Sequence, residues 1–313
     1  MPELPEVETI VRQLNKKVKG FKLTDAWTDW PKTIKTHSLP QFRKEIKGRE
    51  ILHVKRRAKY IIIKLSGHKT MAIHQKISGH LLYGKWIPRK ELIKLKDKEL
   101  ISKIKNNDKF DNQKWLPAEN GPLADDPFNR HIRFILFLNN GKMIGLSDLR
   151  RFGKIYLADN DKIGSVGDIG RLGPEPLDPK FTFKKFKELF KNKKGKVKQV
   201  LMDPFFIAGI GNIYSDEILW YSGILPTHRV ESLDTQDLKK IYKYIKFVLK
   251  KAIKAKGDSE QDYRKLDGTK GDFQNMTKAY QKTGQKCSKN DGGIIKRLKV
   301  GGRSAHYCPI HQK

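Results

Sequence analysis

The chain has 313 residues, a length typical of about two domains, and its 66 Lys and Arg against 34 Asp and Glu give a formal net charge of +32. A membrane-spanning helix needs about 20 consecutive apolar residues, which this sequence lacks, and its 2 cysteines are too few for a disulfide framework. These counts favour a cytoplasmic protein with a polyanionic partner, nucleic acid above all. The alternative is a lysine-rich surface that is only solvated.

The first predicted element is a helix over residues 2–14. Pro5 suits the first helical position, and the carboxylates of Glu6 and Glu8 suit the positive end of the helix dipole. Apolar residues recur at i, i+3, i+4 and i+7, namely Val7, Ile10, Val11 and Leu14. This stripe predicts that packing anchors the N-terminal segment.

A series of short strands follows. The sequence predicts strands over 51–54 and 60–65 around the basic turn 55–59, then strands over 70–74, 131–138, 142–146 and 154–157. Short strands linked by tight turns are typical of an antiparallel β-sandwich. The charged, proline-containing stretch 84–127 interrupts this pattern, and we interpret it as a surface insertion with a helix near 89–105.

Helical patterning dominates the second half of the chain. A glycine- and proline-rich linker over 164–180 is predicted to separate an N-terminal domain, residues 1–163, from a helical domain, residues 181–280. The longest predicted helix spans 238–252 and is expected to be capped at Ser232 or Thr235. Shorter helices are predicted over 183–190, 196–202 and 213–221, a polar loop over 257–280, and a hairpin with both cysteines over 281–313.

The N-terminus itself is a candidate catalytic site. Methionine before proline is normally removed, so we expect Pro2 to begin the mature chain as a secondary amine. An α-amino group titrates at about pH 8, so part of it is neutral at pH 7 and can attack an aldehyde-like sugar carbon to form an iminium. Glu3 lies beside it and can move the proton. The alternative is that Pro2 leads into the helix and Glu3 complements its dipole.

Two further motifs are typical of contacts with DNA. Gly209-Ile210-Gly211-Asn212 joins two predicted helices, and a helix N-terminus that follows close-packing glycines favours a phosphate; the alternative is a tight helix–helix turn. Arg150-Arg151-Phe152-Gly153 follows a predicted hairpin, and an arginine beside an aromatic ring can fill a gap in a duplex. The alternative there is a solvated charge beside a core phenylalanine.

The C-terminal hairpin contains a candidate zinc site. Two Cys-x-x-Cys pairs form a zinc ribbon, but here the good ligands are Cys287, Cys308 and His311. Asn290 is a poor ligand, and Asp291 is a possible substitute. The alternative is a metal-free hairpin held by packing.

Taken together, these motifs resemble the bacterial formamidopyrimidine-DNA glycosylase family. The resemblance covers nearly the whole chain apart from 84–127. It runs in order through Met1-Pro2-Glu3-Leu4-Pro5-Glu6-Val7-Glu8-Thr9, Arg56-Arg57-Ala58-Lys59-Tyr60, His74, Asp148-Leu149-Arg150-Arg151-Phe152-Gly153, Leu172-Gly173-Pro174-Glu175-Pro176-Leu177, Gly209-Ile210-Gly211-Asn212-Ile213-Tyr214 and Gly301-Gly302-Arg303-Ser304-Ala305-His306-Tyr307-Cys308-Pro309. The first and the asparagine-turn motifs are highly specific.

The resemblance implies an α+β fold with an N-terminal helix, an antiparallel β-sandwich, a helix-two-turn-helix domain and a zinc-finger-type hairpin. It implies a bifunctional DNA glycosylase and abasic-site lyase that acts on double-stranded DNA containing oxidised purines, such as 8-oxoguanine and formamidopyrimidines. We therefore expect a monomeric, nucleoid-associated protein without a membrane partner, in which zinc is structural and no metal is catalytic. The loop 257–280 is expected to recognise the damaged base.

The resemblance also implies a role for each site residue. Pro2 is the nucleophile, Glu3 the proton donor, and Lys59 lies at the damaged nucleotide. The expected phosphate-binding residues are His74, Asn212 and Arg303, joined by Arg151, and the residues expected to fill the space left by the flipped nucleotide are Arg150 and Phe152. Attack on C1′, ring opening and successive eliminations would then cut the strand.

The sequence departs from the family pattern at two sites. Where the family often has His-Leu-Gly-Met-Ser/Thr-Gly, this chain has His74-Gln75-Lys76-Ile77-Ser78-Gly79, so Ile77 replaces a wedge methionine and weaker filling is expected. Asn290 and His311 replace the second and fourth zinc cysteines, which puts metal occupancy in question.

Two alternative functions stay open at this stage. The first is an endonuclease VIII-type glycosylase for oxidised pyrimidines, which the N-terminal motif and the long loop disfavour. The second is a non-catalytic protein that binds damaged DNA, which the intact Pro2, Glu3 and Lys59 disfavour.

Overall fold

The computed structural model describes residues 2–94, 98–105 and 113–313, and these residues divide into two compact units. Of the described residues, the first unit contains Pro2 and those within 6–170 and 258–271, and the second contains residues 3–5, 171–257 and 272–313. None of the described helices is long and apolar enough to cross a membrane. The α-helices are α1 (Leu4–Val18), α2 (Leu39–Ile46), α3 (Lys98–Lys105), α4 (Pro122–Asp125), α5 (Phe183–Phe190), α6 (Val197–Met202), α7 (Asn212–Ser222) and α8 (Thr235–Lys254).

The first unit is built on an antiparallel β-sandwich, as predicted. Its strands are β1 (Leu23–Thr28), β2 (Ile51–Arg57), β3 (Tyr60–Leu65), β4 (Lys69–His74), β5 (Gly79–Gly84), β6 (Trp86–Pro88), β7 (Trp115–Pro117), β8 (Ile132–Leu138), β9 (Met143–Asp148) and β10 (Lys154–Asp159). Among the described residues, one four-stranded sheet has the order β1-β8-β9-β5 and the other has the order β10-β4-β3-β2. Alternate residues such as Ile61, Ile63 and Leu65 enter the core, because strand side chains point to opposite faces.

Helix α1 packs its apolar stripe into the same core, which confirms the predicted anchoring. Val7, Ile10 and Leu14 are fully buried there. The helix begins at Leu4, so the prediction that Pro5 is the first helical residue is wrong by one position. The predicted turn 55–59 is also too long. Strand β2 continues to Arg57, and only Ala58 and Lys59 form the turn.

The insertion 84–127 has more structure than a surface loop. A short 3₁₀ helix, Arg89–Lys94, and α3 occupy the region of the predicted helix. Strands β6 and β7 pair with each other, and Leu100, Ile104 and Leu116 form a small core of their own. The described part of this segment is therefore held by local burial.

The polar segment 257–280 belongs to both units. Residues 258–271 lie in the first unit, where Tyr263 and Leu266 are buried in the sandwich core. The Glu6 carboxylate accepts a hydrogen bond from the Asp258 backbone N–H at 2.8 Å. The polar composition of segment 257–280 predicted a loop and gave no sign that Tyr263 and Leu266 are buried.

The second unit is mainly helical. Phe186, Tyr214 and Ile245 are among the buried residues with which α5, α7 and α8 form one core. The predicted cap of α8 is wrong: the Asp234 carboxylate accepts from the Asp237 N–H at 2.7 Å, while Ser232 lies in a preceding 3₁₀ turn. Several possible caps lie within four residues, and backbone geometry selects one.

The C-terminal hairpin consists of β11 (Lys296–Val300) and β12 (Arg303–Tyr307), with Gly301 and Gly302 both at positive φ in the turn. Both residues of such a two-residue turn need the left-handed region, which glycine adopts without strain. Cys287 and Cys308 lie outside the strands, on either side of the hairpin, and both are free thiols.

Candidate active site

The Glu3 carboxylate is held at the N-terminus of α7. Its Oε1 accepts a hydrogen bond from the Ile213 N–H at 3.0 Å, and only 2% of the residue is exposed. The N-cap residue of α7 is Gly211, which has no side chain to cap the helix. Glu3 therefore does the capping from a distance of 210 positions along the chain, with its negative charge at the positive end of the helix dipole.

The glycines of the Gly209-Ile210-Gly211-Asn212 turn make room for the N-terminal segment. The Leu4 N–H donates to the Gly209 carbonyl at 3.0 Å, and Gly209 has a φ of +90°. A Cβ on Gly211 would collide with the Glu3 carboxylate. These glycines thus permit a close approach of the Glu3–Leu4 segment, whereas the expected approach of a phosphate to this turn stays a prediction.

Asn212 has an unusual amide group. Its Oδ1 is buried and has no hydrogen-bond partner within the described residues. A buried acceptor without a partner carries a free-energy penalty of about 1–3 kcal/mol, which a ligand or ordered water can remove. The predicted phosphate contact at Asn212 stays a prediction.

Lys59 lies in a two-residue turn that is tied to α1. Ala58 has a φ of +51°, and Arg56 donates to the Ala58 carbonyl at 3.0 Å and to the Glu8 carboxylate at 2.8 Å. Burial raises the pKa of Glu8, but hydrogen bonds from Arg12 and Arg56 outweigh it, and the net pKa is lowered. The carboxylate thus stays charged and connects the Lys59 turn to the first turns of α1.

His74 presents a neutral ring. Burial and then the charges of Lys76, Lys59 and Lys154 lower the pKa of His74 to about 3. Its Nδ1 accepts a hydrogen bond from the Lys76 backbone N–H at 3.0 Å, and its ring packs edge-on against Tyr60 with the centroids 4.6 Å apart. Because Nδ1 is the acceptor, the neutral ring carries its proton on Nε2 and can donate it to an anion.

The loop 148–153 is braced by the buried Asp148. One carboxylate oxygen accepts from the Ser78 hydroxyl at 2.6 Å and the other from the Gly153 N–H at 2.7 Å. The Ser78 hydroxyl oxygen in turn accepts from the Arg150 N–H at 3.1 Å. These bonds tie the 75–79 turn, which carries Ile77, to the loop that carries the predicted gap-filling residues.

Arg150 and Phe152 point outwards as a pair. The Arg150 guanidinium lies 5.2 Å from the centre of the Phe152 ring, and 46% of Phe152 is exposed. Arg151 instead lies 5.3 Å from the Trp30 ring and 3.6 Å from the Asp29 carboxylate. The alternative of a core phenylalanine is thus wrong for Phe152, since a large apolar ring stays in solvent.

A buried ion pair supports the strand that begins with Arg303. Lys198 and Asp216 are fully buried and hydrogen-bonded to each other. Lys198 also donates to the Ser304 carbonyl at 2.8 Å, and Asp216 accepts from the His306 N–H at 3.0 Å. Burial lowers the pKa of Lys198, while the charges of Asp216 and Glu3 oppose this effect. Arg303 itself is exposed at the start of β12.

The three predicted metal ligands lie together with a fourth. One ligand atom each from Cys287, Asp291, Cys308 and His311 lies within 4.8 Å of the others. His311 Nδ1 is 3.6 Å from Cys287 Sγ and 2.8 Å from an Asp291 oxygen, which is 3.4 Å from Cys308 Sγ. Asp291, the possible substitute, thus joins the cluster in place of its neighbour Asn290. Asn290 lies in the turn after Cys287 and has a φ of +56°.

This donor set fits a metal ion. His311 Nε2 is 3.0 Å from the Trp220 carbonyl, so it carries the ring proton and leaves the Nδ1 lone pair directed at the cluster. A Cβ on Gly293 would enter the space beside Cys308 Sγ and Asp291. Two sulfurs, one nitrogen and one oxygen are ligands that tetrahedral zinc accepts.

Each unit thus contains its own share of the predicted site residues. The first unit contains Pro2, Lys59, His74, Arg150, Arg151 and Phe152, and the second contains Glu3, Asn212, Arg303 and the metal cluster. Pro2 is buried, and the chain passes from one unit to the other at the Pro2–Glu3 peptide bond. Sequence reasoning missed the supports Arg56, Asp148 and Lys198, whose charged types in apolar surroundings were the available signal.

Two family models match the chain. The formamidopyrimidine-DNA glycosylase N-terminal domain matches residues 1–155, and the formamidopyrimidine-DNA glycosylase H2TH domain matches residues 172–264. A formamidopyrimidine-DNA glycosylase of Herpetosiphon aurantiacus is 33% identical over 313 residues, with 100% of both chains covered. One from Pelotomaculum thermopropionicum is 33% identical, with 100% of this chain and 99% of the relative covered.

Solved structures give the same result. The Lactococcus lactis glycosylase bound to a Fapy-dG-containing DNA matches with a TM-score of 0.80 and 30% identity, and 100% of both chains is covered. A complex of the same bacterium's protein with an abasic-site DNA matches with a TM-score of 0.80 and 29% identity, over 99% of both chains. MutM bound to a DNA that contains carbocyclic 8-oxo-G matches with a TM-score of 0.79 and 30% identity, over 100% of both chains.

Proposed function

Because this chain belongs to the formamidopyrimidine-DNA glycosylase family, we propose a mechanism in which its own residues excise oxidised purines and then cut the DNA strand. The chain is a DNA glycosylase for oxidised purines and a lyase for abasic sites. The observation that carries the mechanism is the buried Pro2-Glu3 segment, whose carboxylate is fixed on the N-terminus of α7. In this proposal the protein acts on chromosomal DNA in the bacterial cytoplasm.

The first covalent step uses the Pro2 amine. After methionine removal, the nitrogen lone pair attacks C1′ of the deoxyribose, and the bond from C1′ to the base breaks, so that the base leaves with the electron pair. The Glu3 carboxylate accepts the proton that the Pro2 nitrogen then carries and transfers it to the ring oxygen as the C1′–O4′ bond opens, so that an iminium between Pro2 and C1′ results. The hydrogen bond from the Ile213 N–H holds the carboxyl group in place for this transfer.

Strand cutting follows from the charge of the iminium. The cation acidifies the C2′ proton, and its loss expels the 3′ phosphate oxygen in a β-elimination. A second elimination removes the C4′ proton and expels the 5′ phosphate. Hydrolysis of the iminium then restores the Pro2 amine, so electrons and protons balance without an external oxidant.

The remaining site residues bind and distort the DNA in this proposal. The His74 Nε2–H and the Lys59 ammonium contact phosphates of the damaged strand, and Asn212 and Arg303 contact its backbone too. The exposed Arg150–Phe152 pair enters the stack where the nucleotide has been turned out, helped by Ile77. Base flipping costs a few kcal/mol, and these contacts offset that cost.

The metal in this proposal is a structural zinc ion. The residues that would hold it are Cys287, Asp291, Cys308 and His311. Bound zinc would cross-link the segments on either side of the hairpin, whose second strand, β12, begins with Arg303. Purified protein should contain about one zinc per chain by elemental analysis. Asp291→Ala should lower that content and the thermal stability, whereas Asn290→Ala should retain the zinc. Equal zinc in both variants would exclude Asp291 as a ligand.

Borohydride trapping tests the mechanism. The protein should form a covalent adduct with 8-oxoguanine DNA and abasic-site DNA, and mass spectrometry should locate the adduct on Pro2. Pro2→Gly should lose trapping and strand cutting while it retains the wild-type fold by circular dichroism. Unchanged trapping in that variant would overturn the assignment of the nucleophile, and faster cutting of thymine glycol than of 8-oxoguanine would favour the endonuclease VIII-type alternative.

A further inference from the structure

The turn after β4 contains a lysine in a conformation that favours glycine. Lys76 has a φ of +57°, in the left-handed region, where a side chain is strained and glycine is not. The segment His74-Gln75-Lys76-Ile77 resembles the motif His-Leu-Gly-Met, which has glycine at the corresponding position. Because glycine would adopt this backbone conformation without strain, we expect the Lys76 side chain to have a specific role.

Strand pairing places Lys76 beside two other lysines. His74 is the register partner of Tyr60 on β3 and of Lys154 on β10, so three neighbouring strands align at this end of the sheet. Lys59 immediately precedes Tyr60, and Lys76 follows His74 by two residues. Because neighbouring strands lie about 4.8 Å apart, the three lysines start from neighbouring backbone positions at one end of the sheet. The charges of Lys59 and Lys154 act on both His74 and Lys76.

The charges in this region repel one another. Lys76 is half-buried, and burial, followed by the charges of Lys154 and Lys59, lowers its pKa, while the carboxylate of Asp168 has the opposite effect. Like charges held together raise the free energy of the unbound protein, and a bound anion removes that repulsion. The arrangement is therefore poised for an anionic group.

We propose that Lys59, Lys76 and Lys154 form a phosphate subsite for DNA, in which Lys76 and Lys154 extend the phosphate contacts already proposed for Lys59 and His74. The inference rests on the proposed function, since the phosphate belongs to the damaged strand. Lys76 also acts through its neighbour, because its backbone N–H bonds to His74 Nδ1 and leaves the Nε2–H free to donate to the same phosphate. The subsite thus combines three cations with one neutral donor.

Two substitutions separate the charge of Lys76 from its strain. Lys76→Gly removes both, and Lys76→Gln removes the charge alone. The matched control is Lys256→Gly, because Lys256 is an exposed lysine with a φ of +61° in the other unit. Binding of the full-length protein to a duplex with an abasic-site analogue would be measured at several salt concentrations.

We expect both Lys76 variants to bind several-fold more weakly and to reduce the slope of log affinity against log salt by about 1. KM should rise more than kcat falls. Lys76→Gly and Lys256→Gly should both unfold at a higher temperature than wild type, because each relieves left-handed strain. The control should retain the wild-type salt slope.

Weaker binding with a smaller slope in both Lys76 variants would support the subsite. An unchanged affinity and slope in Lys76→Gly and Lys76→Gln, with wild-type protein that still cuts abasic-site DNA, would overturn it. Failure of the proposed function gives a different result, since wild-type protein itself would then neither trap nor cut.

Discussion

The contact between Gly211 and Glu3 predicts a large effect of a single methyl group. Gly211 has a φ of −135°, so alanine adopts this backbone without strain and Gly211→Ala acts only through its Cβ. That Cβ would overlap the Glu3 carboxylate, which must then leave the Ile213 N–H. Loss of a helix cap costs about 1 kcal/mol and overpacking a further 1–3 kcal/mol, so we expect the free energy of unfolding to fall by about 2–4 kcal/mol.

The same substitution should reduce catalysis more than it reduces DNA binding. General acid catalysis contributes roughly 10²–10⁴-fold, and a carboxyl group displaced by one methyl group loses most of that effect. Single-turnover cutting of 8-oxoguanine DNA and borohydride trapping would measure the loss, and urea unfolding would measure the stability.

Gly164→Ala is the matched control, because nothing lies within 4 Å of a Cβ at Gly164. It should leave the unfolding free energy within about 0.5 kcal/mol of wild type and the cutting rate within twofold of wild type. If Gly211→Ala behaves like this control in both assays, the close packing of Glu3 against the α7 N-terminus is refuted as the basis of catalysis.

Three further predictions follow from buried charges. Lys198→Met should lower the unfolding free energy by about 3–5 kcal/mol in urea titrations, because Asp216 is left buried without its cation; a loss below 1 kcal/mol would contradict this. The folded-state pKa of His74 is depressed to about 3, so its contribution to stability is present above pH 6.5 and is lost as pH falls from 6.5 towards 3, by at most about 1.4 kcal/mol per pH unit. His74→Gln should flatten the stability–pH curve over that range. An unaltered curve would exclude a His74 ring that stays neutral in the folded protein. Asp148→Ala leaves the donors that bond to the Asp148 carboxylate unpaired and should lower the unfolding free energy by about 1–3 kcal/mol. It should also slow DNA cutting more than it weakens DNA binding. Equal effects on cutting and binding would contradict this prediction.

The sequence determined the elements whose signals are local. The apolar stripe of α1 and the alternation in β3 repeat within one or two turns or a few strand residues, so their periods predicted helix and sandwich correctly. The motifs at the N-terminus and at Gly209-Ile210-Gly211-Asn212 resemble those of the family, and the family models and full-length relatives confirmed that resemblance. The residues that could hold a metal ion were also nearly all predicted, since Asp291 lies next to the poor ligand Asn290.

Tertiary structure alone decided the contacts between residues distant in sequence. No local pattern shows that Glu3 caps a helix 210 positions away, or that Lys198 neutralises Asp216. The choice of Asp234 over neighbouring caps, and the left-handed φ of Lys76, depend on the backbone path into and out of each turn. Local periodicity reflects which face of an element is buried. The partner of a buried charge is set only when the chain has folded. In the low-dielectric interior each buried charge needs an opposite charge or a hydrogen-bonding group, and only the tertiary fold determines which residue supplies it.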